Sequence, residues 1–161
     1  MPAVLSLLMS FLHKIIATAF GAGYSPFAPG TAGALVGLLA WWGAAQVIDD
    51  PSYFQWLMLG AALLVFLLGT WSADALEQEW GKDPSRVVAD EVVGMWISLL
   101  WVPLSWPYLL TGFVLFRIFD IWKPLYVRSM ERLPGGWGVM MDDVLAGLYA
   151  NLVLQVLLRF F

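Results

Sequence analysis

The stretch FVLFRIFDIWKPLYVRSMERLPGGWGVMMDDVLAG, residues 113–147, joins two apolar segments through a region rich in charged side chains. Arg117, Asp120 and Lys123 lie at the end of the first apolar segment, and Asp142 and Asp143 lie at the start of the second. Charged groups are costly beside segments that enter a lipid bilayer, so those found there usually serve a function. The stretch therefore predicts a functional site at the edge of a membrane.

The whole chain has the composition of an integral membrane protein. Of its 161 residues, 61% are hydrophobic and 12% are charged, whereas about 25% of the residues in a soluble globular protein are charged. Its 10 tryptophans lie mostly near the ends of apolar segments, as they do in the aromatic belts of membrane proteins. Because the chain has no cysteine, disulfides, zinc–thiolate sites and a cysteine nucleophile are excluded.

The apolar segments predict a single all-α domain that forms a polytopic membrane protein. We expect about four transmembrane helices and an N-terminal interfacial helix over residues 1–20. The apolar segments behind this expectation lie near 31–48, 54–71, 85–102, 108–122 and 142–160. Asp83-Pro84 is typical of a helix start, which would place Asp90 and Glu91 two turns inside the third segment.

The basic residues indicate which side of the membrane the charged motifs face. Alternation of the segments places residues 1–30, 72–91 and 117–143 on one side, and these ranges contain every lysine and arginine except Arg159. By the positive-inside rule this side is cytoplasmic. Since every charged motif lies on it, the motifs can meet in one site that faces the cytoplasm.

Five carboxylates on this side predict a metal site. Partly desolvated carboxylates repel one another unless positive charge lies between them, and Arg86, Arg117 and Lys123 supply only three positive charges. A divalent cation would make up the shortfall, and an all-oxygen ligand set favours Mg²⁺. The predicted ligands are Asp90, Glu91, Asp120, Asp142 and Asp143. In the alternative interpretation, Asp142 is a helix cap and Asp83, Asp90 or Glu91 pairs with Arg86.

The spacing of Arg117, Asp120 and Lys123 suits the binding of a metal-bridged phosphate. Each residue lies three positions after the previous one, so all three share one helical face. The carboxylate would contact the ion, and the two cations would contact phosphoryl oxygens. A local salt bridge, with Lys123 extending to water, is the alternative.

Glycine-rich features complete the pattern. The loop GAGYSPFAPGT, residues 21–31, offers backbone N–H groups, Ser25, Thr31 and the start of a helix. Such a loop can hold an anion or can equally be structural. Gly94 and Gly147 follow aspartates by four residues, and we expect them to let neighbouring helices approach closely.

With these motifs assembled, the chain resembles the phosphatidylglycerophosphatase A family of small bacterial membrane enzymes. The resemblance runs from about residue 21 to residue 147. It rests on GAGYSPFAPGT, DPSRVVADEVVGMWI, FRIFDIWKP and GGWGVMMDDVLAG in that order. It implies Mg²⁺-dependent removal of the terminal phosphate from phosphatidylglycerophosphate at the bacterial cytoplasmic (inner) membrane, giving phosphatidylglycerol and inorganic phosphate.

The resemblance also implies roles for individual residues. The five acidic residues correspond to the metal and catalytic set as a group, and we expect Glu91, Asp120, Asp142 and Asp143 to take part in catalysis. Arg117 and Lys123 correspond to phosphate contacts, and we expect Ser25, Thr31 and Arg86 to contribute to substrate binding. We expect a bound water as the nucleophile, with an aspartyl-phosphate intermediate as the second possibility.

Two other functional classes are compatible with a membrane protein of this kind. A CDP-alcohol phosphotransferase is also metal-dependent, but its signature is a longer array of four aspartates with glycine and Ala-Arg at fixed offsets, which this chain lacks. The other class is a non-catalytic anionic-lipid-binding or transport protein, and transport sites usually lie near the membrane midplane. The charges of this chain instead collect at one interface, and nothing in the sequence indicates a nucleic-acid partner.

Overall fold

The computed structural model describes residues 2–160 and, within that range, contains seven α-helices, one 3-10 turn and no strand. The 3-10 turn covers Ala22–Tyr24. The helices are α1 (Pro2–Ala17), α2 (Pro29–Ala45), α3 (Pro51–Trp80), α4 (Ala89–Leu99), α5 (Trp106–Trp122), α6 (Val127–Met130) and α7 (Gly136–Leu157). The predicted all-α class is confirmed.

Among the described residues, two helices are long and apolar enough to cross a membrane. Helix α3 has 30 residues and contains an 18-residue segment with a mean hydropathy of 1.8, and α7 has 22 residues and contains one with a mean hydropathy of 1.3. The expected count of about four is therefore wrong. Helices α2, α4 and α5 have 17, 11 and 17 residues, fewer than the roughly 20 that cross the hydrocarbon core. Two such helices fit a membrane protein.

Helix α4 begins later than the Asp83-Pro84 pair predicted, so that boundary is wrong. Asp83 has a φ of 52°, in the left-handed region, and the backbone that follows forms a loop. The N–H of Val88 donates to the carbonyl of the last residue of α1 at 2.8 Å, which holds the loop against α1. Asp90 and Glu91 consequently lie in the first turn of α4, not two turns inside it.

Helix α7 begins at Gly136, whereas the sequence predicted a start near Asp142. The reason lies in α3, which continues past the predicted end near Trp71 as far as Trp80. On this extension, Asp74 Oδ1 accepts a hydrogen bond of 2.6 Å from the N–H of Gly136. The bond satisfies one of the free N–H groups at the helix start. Asp142 therefore lies almost two turns inside α7.

Helix α4 is the centre of the packing. It packs most extensively against α7, and also against α2, α3 and α5. The main hydrophobic core contains Trp41, Met95, Leu99 and Phe116, each almost fully buried. Because the first turn of α4 carries two acidic residues, this packing surrounds them with neighbouring helices.

Helix α1 packs along the extended α3. His13 Nδ1 lies 3.3 Å from Ser72 Oγ in a buried contact, and Lys14 Nζ lies 2.5 Å from Glu79 Oε1. These contacts fix the end of α1, which in turn accepts the hydrogen bond from the loop before α4. The location of residues 1–20 on a membrane surface stays a prediction.

Candidate active site

Three carboxylates from two helices meet beside the start of α4. Asp90 and Glu91 come from the first turn of α4, and Asp143 comes from α7. One carboxylate oxygen of each lies within 4.8 Å of the others. Asp90 is 8% exposed and Asp143 is 2% exposed. The structure thus brings together three of the five acidic residues that the sequence singled out.

Two oxygens of this carboxylate cluster have no hydrogen-bond partner within residues 2–160. They are Glu91 Oε2 and Asp143 Oδ2, and both are buried. A buried carboxylate without a partner is strongly destabilising, so such groups are normally paired with a cation or a metal ion. Because the oxygens converge and remain unsatisfied, the cluster of Asp90, Glu91 and Asp143 fits a divalent ion, and its oxygen ligands suit a hard one.

Arg117 on α5 lies between this cluster and Asp120. Its Nη1 atom is 2.5 Å from Asp120 Oδ2 and 3.9 Å from Glu91 Oε1. Neither Nη1 nor Nε of Arg117 makes a hydrogen bond of acceptable geometry within the described residues, although both atoms are buried. Asp120 also approaches Asp143, so it belongs to the edge of the cluster. A buried guanidinium with unused donors is suited to an oxyanion.

The start of α2 forms another wall of the site. A Cβ atom at Gly30 would overlap Glu91 Oε1 and would lie 3.1 Å and 3.2 Å from Nη1 and Nη2 of Arg117. Only glycine therefore fits here without displacing these side chains. The N-terminus of α2 carries a partial positive charge that points towards the carboxylates. The sequence indicated this loop but not the contact made by Gly30, which joins segments distant in the chain.

Lys123 and Asp142 form a separate ion pair beside the carboxylate cluster. Lys123 Nζ lies 2.6 Å from Asp142 Oδ2 and 2.7 Å from Glu131 Oε1. Burial by itself would lower the pKa of Lys123, but the hydrogen bonds to Asp142 and Glu131 outweigh it and hold the pKa above its usual range. Asp142 Oδ1 accepts from the N–H of Asp143 at 3.0 Å. Both oxygens of Asp142 are thus occupied.

The remaining predicted residues lie at or outside the edge of this arrangement. Ser25 Oγ donates to the carbonyl of Phe27 at 2.8 Å, so its hydroxyl is used within its own loop. Thr31 is half-buried in the first turn of α2, next to Gly30. Arg86 is exposed, and within residues 2–160 its guanidinium forms no ion pair with the acidic residues that the alternative interpretation assigned to it. Glu131, which holds Lys123, was not predicted.

Buried acidic side chains that converge beside a buried guanidinium with unused hydrogen-bond donors are typical of one class of protein, namely enzymes that act on phosphate esters. The family model described as phosphatidylglycerophosphatase A matches residues 15–158. The chain belongs to this family and is a phosphatase. Membership decides against the two alternative classes, the CDP-alcohol phosphotransferase and the non-catalytic lipid-binding protein.

Three relatives match most of the chain. A protein of Bacteroides thetaiotaomicron named "Putative phosphatidylinositol-3-phosphatase" is 51% identical over 151 residues, which cover 91% of this chain and 94% of the relative. The phosphatidylglycerophosphatase A of Escherichia coli is 37% identical, with 86% of this chain and 79% of the relative covered. That of Haemophilus influenzae is 39% identical, with 91% and 88% covered. No solved structure gives a significant match.

Proposed function

We propose that the protein hydrolyses phosphatidylglycerophosphate to phosphatidylglycerol and inorganic phosphate, with Mg²⁺ bound at Asp90, Glu91 and Asp143. The observation that carries the proposal is the set of three convergent carboxylates with unpaired buried oxygens. Support comes from the relatives named phosphatidylglycerophosphatase A, which are 37% and 39% identical to the chain.

The carboxylate cluster supplies the ligands for the ion. When bound, Mg²⁺ polarises the phosphoryl group and lowers the pKa of an attacking water. Glu91 Oε2 and Asp143 Oδ2 would be the first ligands, because neither has a hydrogen-bond partner among the described residues. Asp120 is engaged with Arg117, so its role is to orient that guanidinium. The carboxylates of the cluster would also accept the proton that the attacking water loses.

Arg117 is the main contact of the substrate phosphate. Its Nε and Nη1 atoms have unused donors, and the start of α2 lies against it at Gly30. Together they would stabilise the negative charge that develops on the phosphoryl oxygens. Lys123 has a different role from the phosphate contact that the sequence predicted. Because Asp142 and Glu131 occupy it, it acts as a positioning residue for α7.

The site suits a lipid substrate at headgroup depth on the cytoplasmic face of an inner membrane. Among the described residues, the two apolar helices long enough to cross are α3 and α7, and the carboxylates of α7 lie in its first two turns. Beside the site, Trp122 is 75% exposed and Leu125 is 80% exposed. Exposed apolar side chains next to basic ones are typical of a membrane interface, where a lipid phosphate would also lie.

A second candidate substrate is a phosphatidylinositol phosphate. The relative that carries the name of a phosphatidylinositol-3-phosphatase is 51% identical over nearly the whole chain. Both lipids present a phosphomonoester on a polyol headgroup, so the same cluster and the same Arg117 can serve either one. The proteins would differ in the residues that contact the headgroup rather than in those that hold the ion.

The test is phosphate release by the purified protein from separate vesicles that contain phosphatidylglycerophosphate, phosphatidylinositol 3-phosphate or phosphatidate, with and without Mg²⁺. We expect Mg²⁺-dependent release that is fastest from phosphatidylglycerophosphate, and a loss of at least about a hundredfold in Asp143→Asn. Faster release from the inositol lipid would favour the second candidate. Release that needs no metal, or full activity in Asp143→Asn, would contradict the proposal.

A further inference from the structure

A cleft lined by charged residues lies next to the proposed active site. It measures about 390 Å³ and is bounded by the loop after α3 and by α6 with the residues that follow it. We call it the basic cleft. Its lining residues are Lys82, Asp83, Arg128, Glu131 and Arg132.

The basic cleft carries an excess of unpaired positive charge. Lys82, Arg128 and Arg132 are exposed and form no ion pair within residues 2–160. Of the two acidic lining residues, Glu131 pairs with Lys123 at 2.7 Å and shares it with Asp142. The three lining cations therefore outnumber the two lining carboxylates, one of which is already partly compensated. Arginine side chains bind phosphate oxygens through two parallel hydrogen bonds, so this balance favours a phosphate oxyanion.

The basic cleft is connected to the proposed active site through one side chain. Glu131 lines the cleft and binds Lys123, and the same Nζ atom binds Asp142, the neighbour of Asp143. Asp83 on the opposite wall lies close enough to interact electrostatically with Asp142. An anion in the cleft would thus lie within a few side chains of the carboxylate cluster, on the side of α7 that faces α6.

We propose that the basic cleft is a second binding site for phosphate oxyanions that serves the same reaction. This inference rests on the proposed function, in which two sources of such an anion exist. One is the inorganic phosphate that hydrolysis releases, and the other is the phosphodiester that stays in the lipid headgroup. Both carry the same oxygens, and Arg128 and Arg132 are the residues that would bind them.

Binding of inorganic phosphate tests the site without turnover. We would titrate phosphate into the protein in the presence of EDTA, where the metal-free carboxylates repel an anion, and would record the heat by calorimetry. We expect measurable binding that weakens by roughly three- to tenfold in the double variant Arg128→Gln, Arg132→Gln. The matched control is Arg159→Gln, which removes a basic charge far along the chain after α7 and should leave phosphate binding unchanged. Equal binding in all three proteins would overturn the inference.

Kinetic measurements distinguish the two sources. If free phosphate is the ligand, product inhibition by phosphate should weaken in the double variant more than in Arg159→Gln. If the lipid phosphodiester is the ligand, the double variant should show a higher ratio of two KM values than the wild type. The ratio is KM for phosphatidylglycerophosphate over KM for phosphatidate, which has one phosphate. If the wild type hydrolyses the lipid and the double variant shows neither of these kinetic changes, the inference is overturned and the proposed function stays intact. Absence of hydrolysis by the wild type would contradict the proposed function alone, because the calorimetric test does not depend on it.

Discussion

Gly147 of α7 lies directly against the backbone of Gly94 on α4. A Cβ atom at position 147 would overlap the Gly94 carbonyl oxygen and would lie 3.1 Å from the Gly94 Cα atom. Asp90 and Asp143 lie one turn before these two glycines on their respective helices. The contact therefore sets the separation of the helices that carry the carboxylate cluster, and the close approach predicted from sequence is confirmed.

Replacing Gly147 with alanine should separate α4 from α7 and reduce phosphatase activity strongly. An added methyl group in a tight contact costs roughly 1–3 kcal/mol of stability, and the carboxylates would move apart. Thermal unfolding and phosphate release measure the two effects. Gly60→Ala is the control, because no described residue outside the local helix backbone lies within 4 Å of a Cβ atom there; it should be neutral or slightly stabilising. Equal behaviour of the two variants would contradict the role assigned to the contact.

Replacing Lys123 with methionine should lower stability by about 1–3 kcal/mol, because Asp142 and Glu131 lose their shared partner. Folding raises the pKa of Lys123, so the contribution of its charge is complete below the ordinary lysine pKa and is lost only above it. The difference in unfolding temperature between variant and wild type should therefore be constant between about pH 7 and pH 9. A difference that shrinks as pH rises across this range would show that Lys123 titrates there.

Asp74 should position α7 through its hydrogen bond to the N–H of Gly136. Asp74→Ala removes the acceptor and should cost about 1 kcal/mol of stability with reduced activity. Asp74→Asn keeps an oxygen at the same place, so it should retain most of both. Unfolding curves and kcat for the two variants provide the measurement. Equal losses in both variants would indicate that the charge of Asp74, rather than its hydrogen bond to the Gly136 N–H, stabilises the start of α7.

Replacing Arg117 with lysine should impair activity although it preserves the charge. The planar guanidinium contacts Asp120 and approaches Glu91 at once, and a lysine ammonium cannot reproduce this geometry. We expect kcat/KM to fall by roughly ten- to a hundredfold while the unfolding temperature changes little. Wild-type kcat/KM in this variant would mean that Arg117 serves only as a counter-ion.

Local sequence pattern predicted part of the fold well and part of it poorly. The apolar segments located α2 and α5 within a few residues, because each helix is apolar along its length. The continuation of α3 to Trp80 was missed because its last turns extend beyond the apolar core as SADALEQEW. The early start of α7 was missed for a related reason: the acceptor at Asp74 is 62 positions from Gly136.

The same distinction applies to the candidate site. Charge beside apolar segments was sufficient to predict that Asp90, Glu91 and Asp143 lie together. It did not separate these three from Asp142, whose oxygens are occupied by Lys123 and a backbone N–H. That separation depends on which face of α7 packs against the neighbouring helices, and the charge pattern does not specify this face.

The central claim, that Asp90, Glu91 and Asp143 hold a divalent ion, is tested most directly by Mn²⁺ binding followed by electron paramagnetic resonance. Glu79→Gln provides the control, because this carboxylate pairs with Lys14 on α1. We predict saturable binding in the wild type and in Glu79→Gln, and a loss of affinity of more than about tenfold in Asp143→Asn. Binding that is equally tight in Asp143→Asn, or absent from the wild type, would contradict the claim.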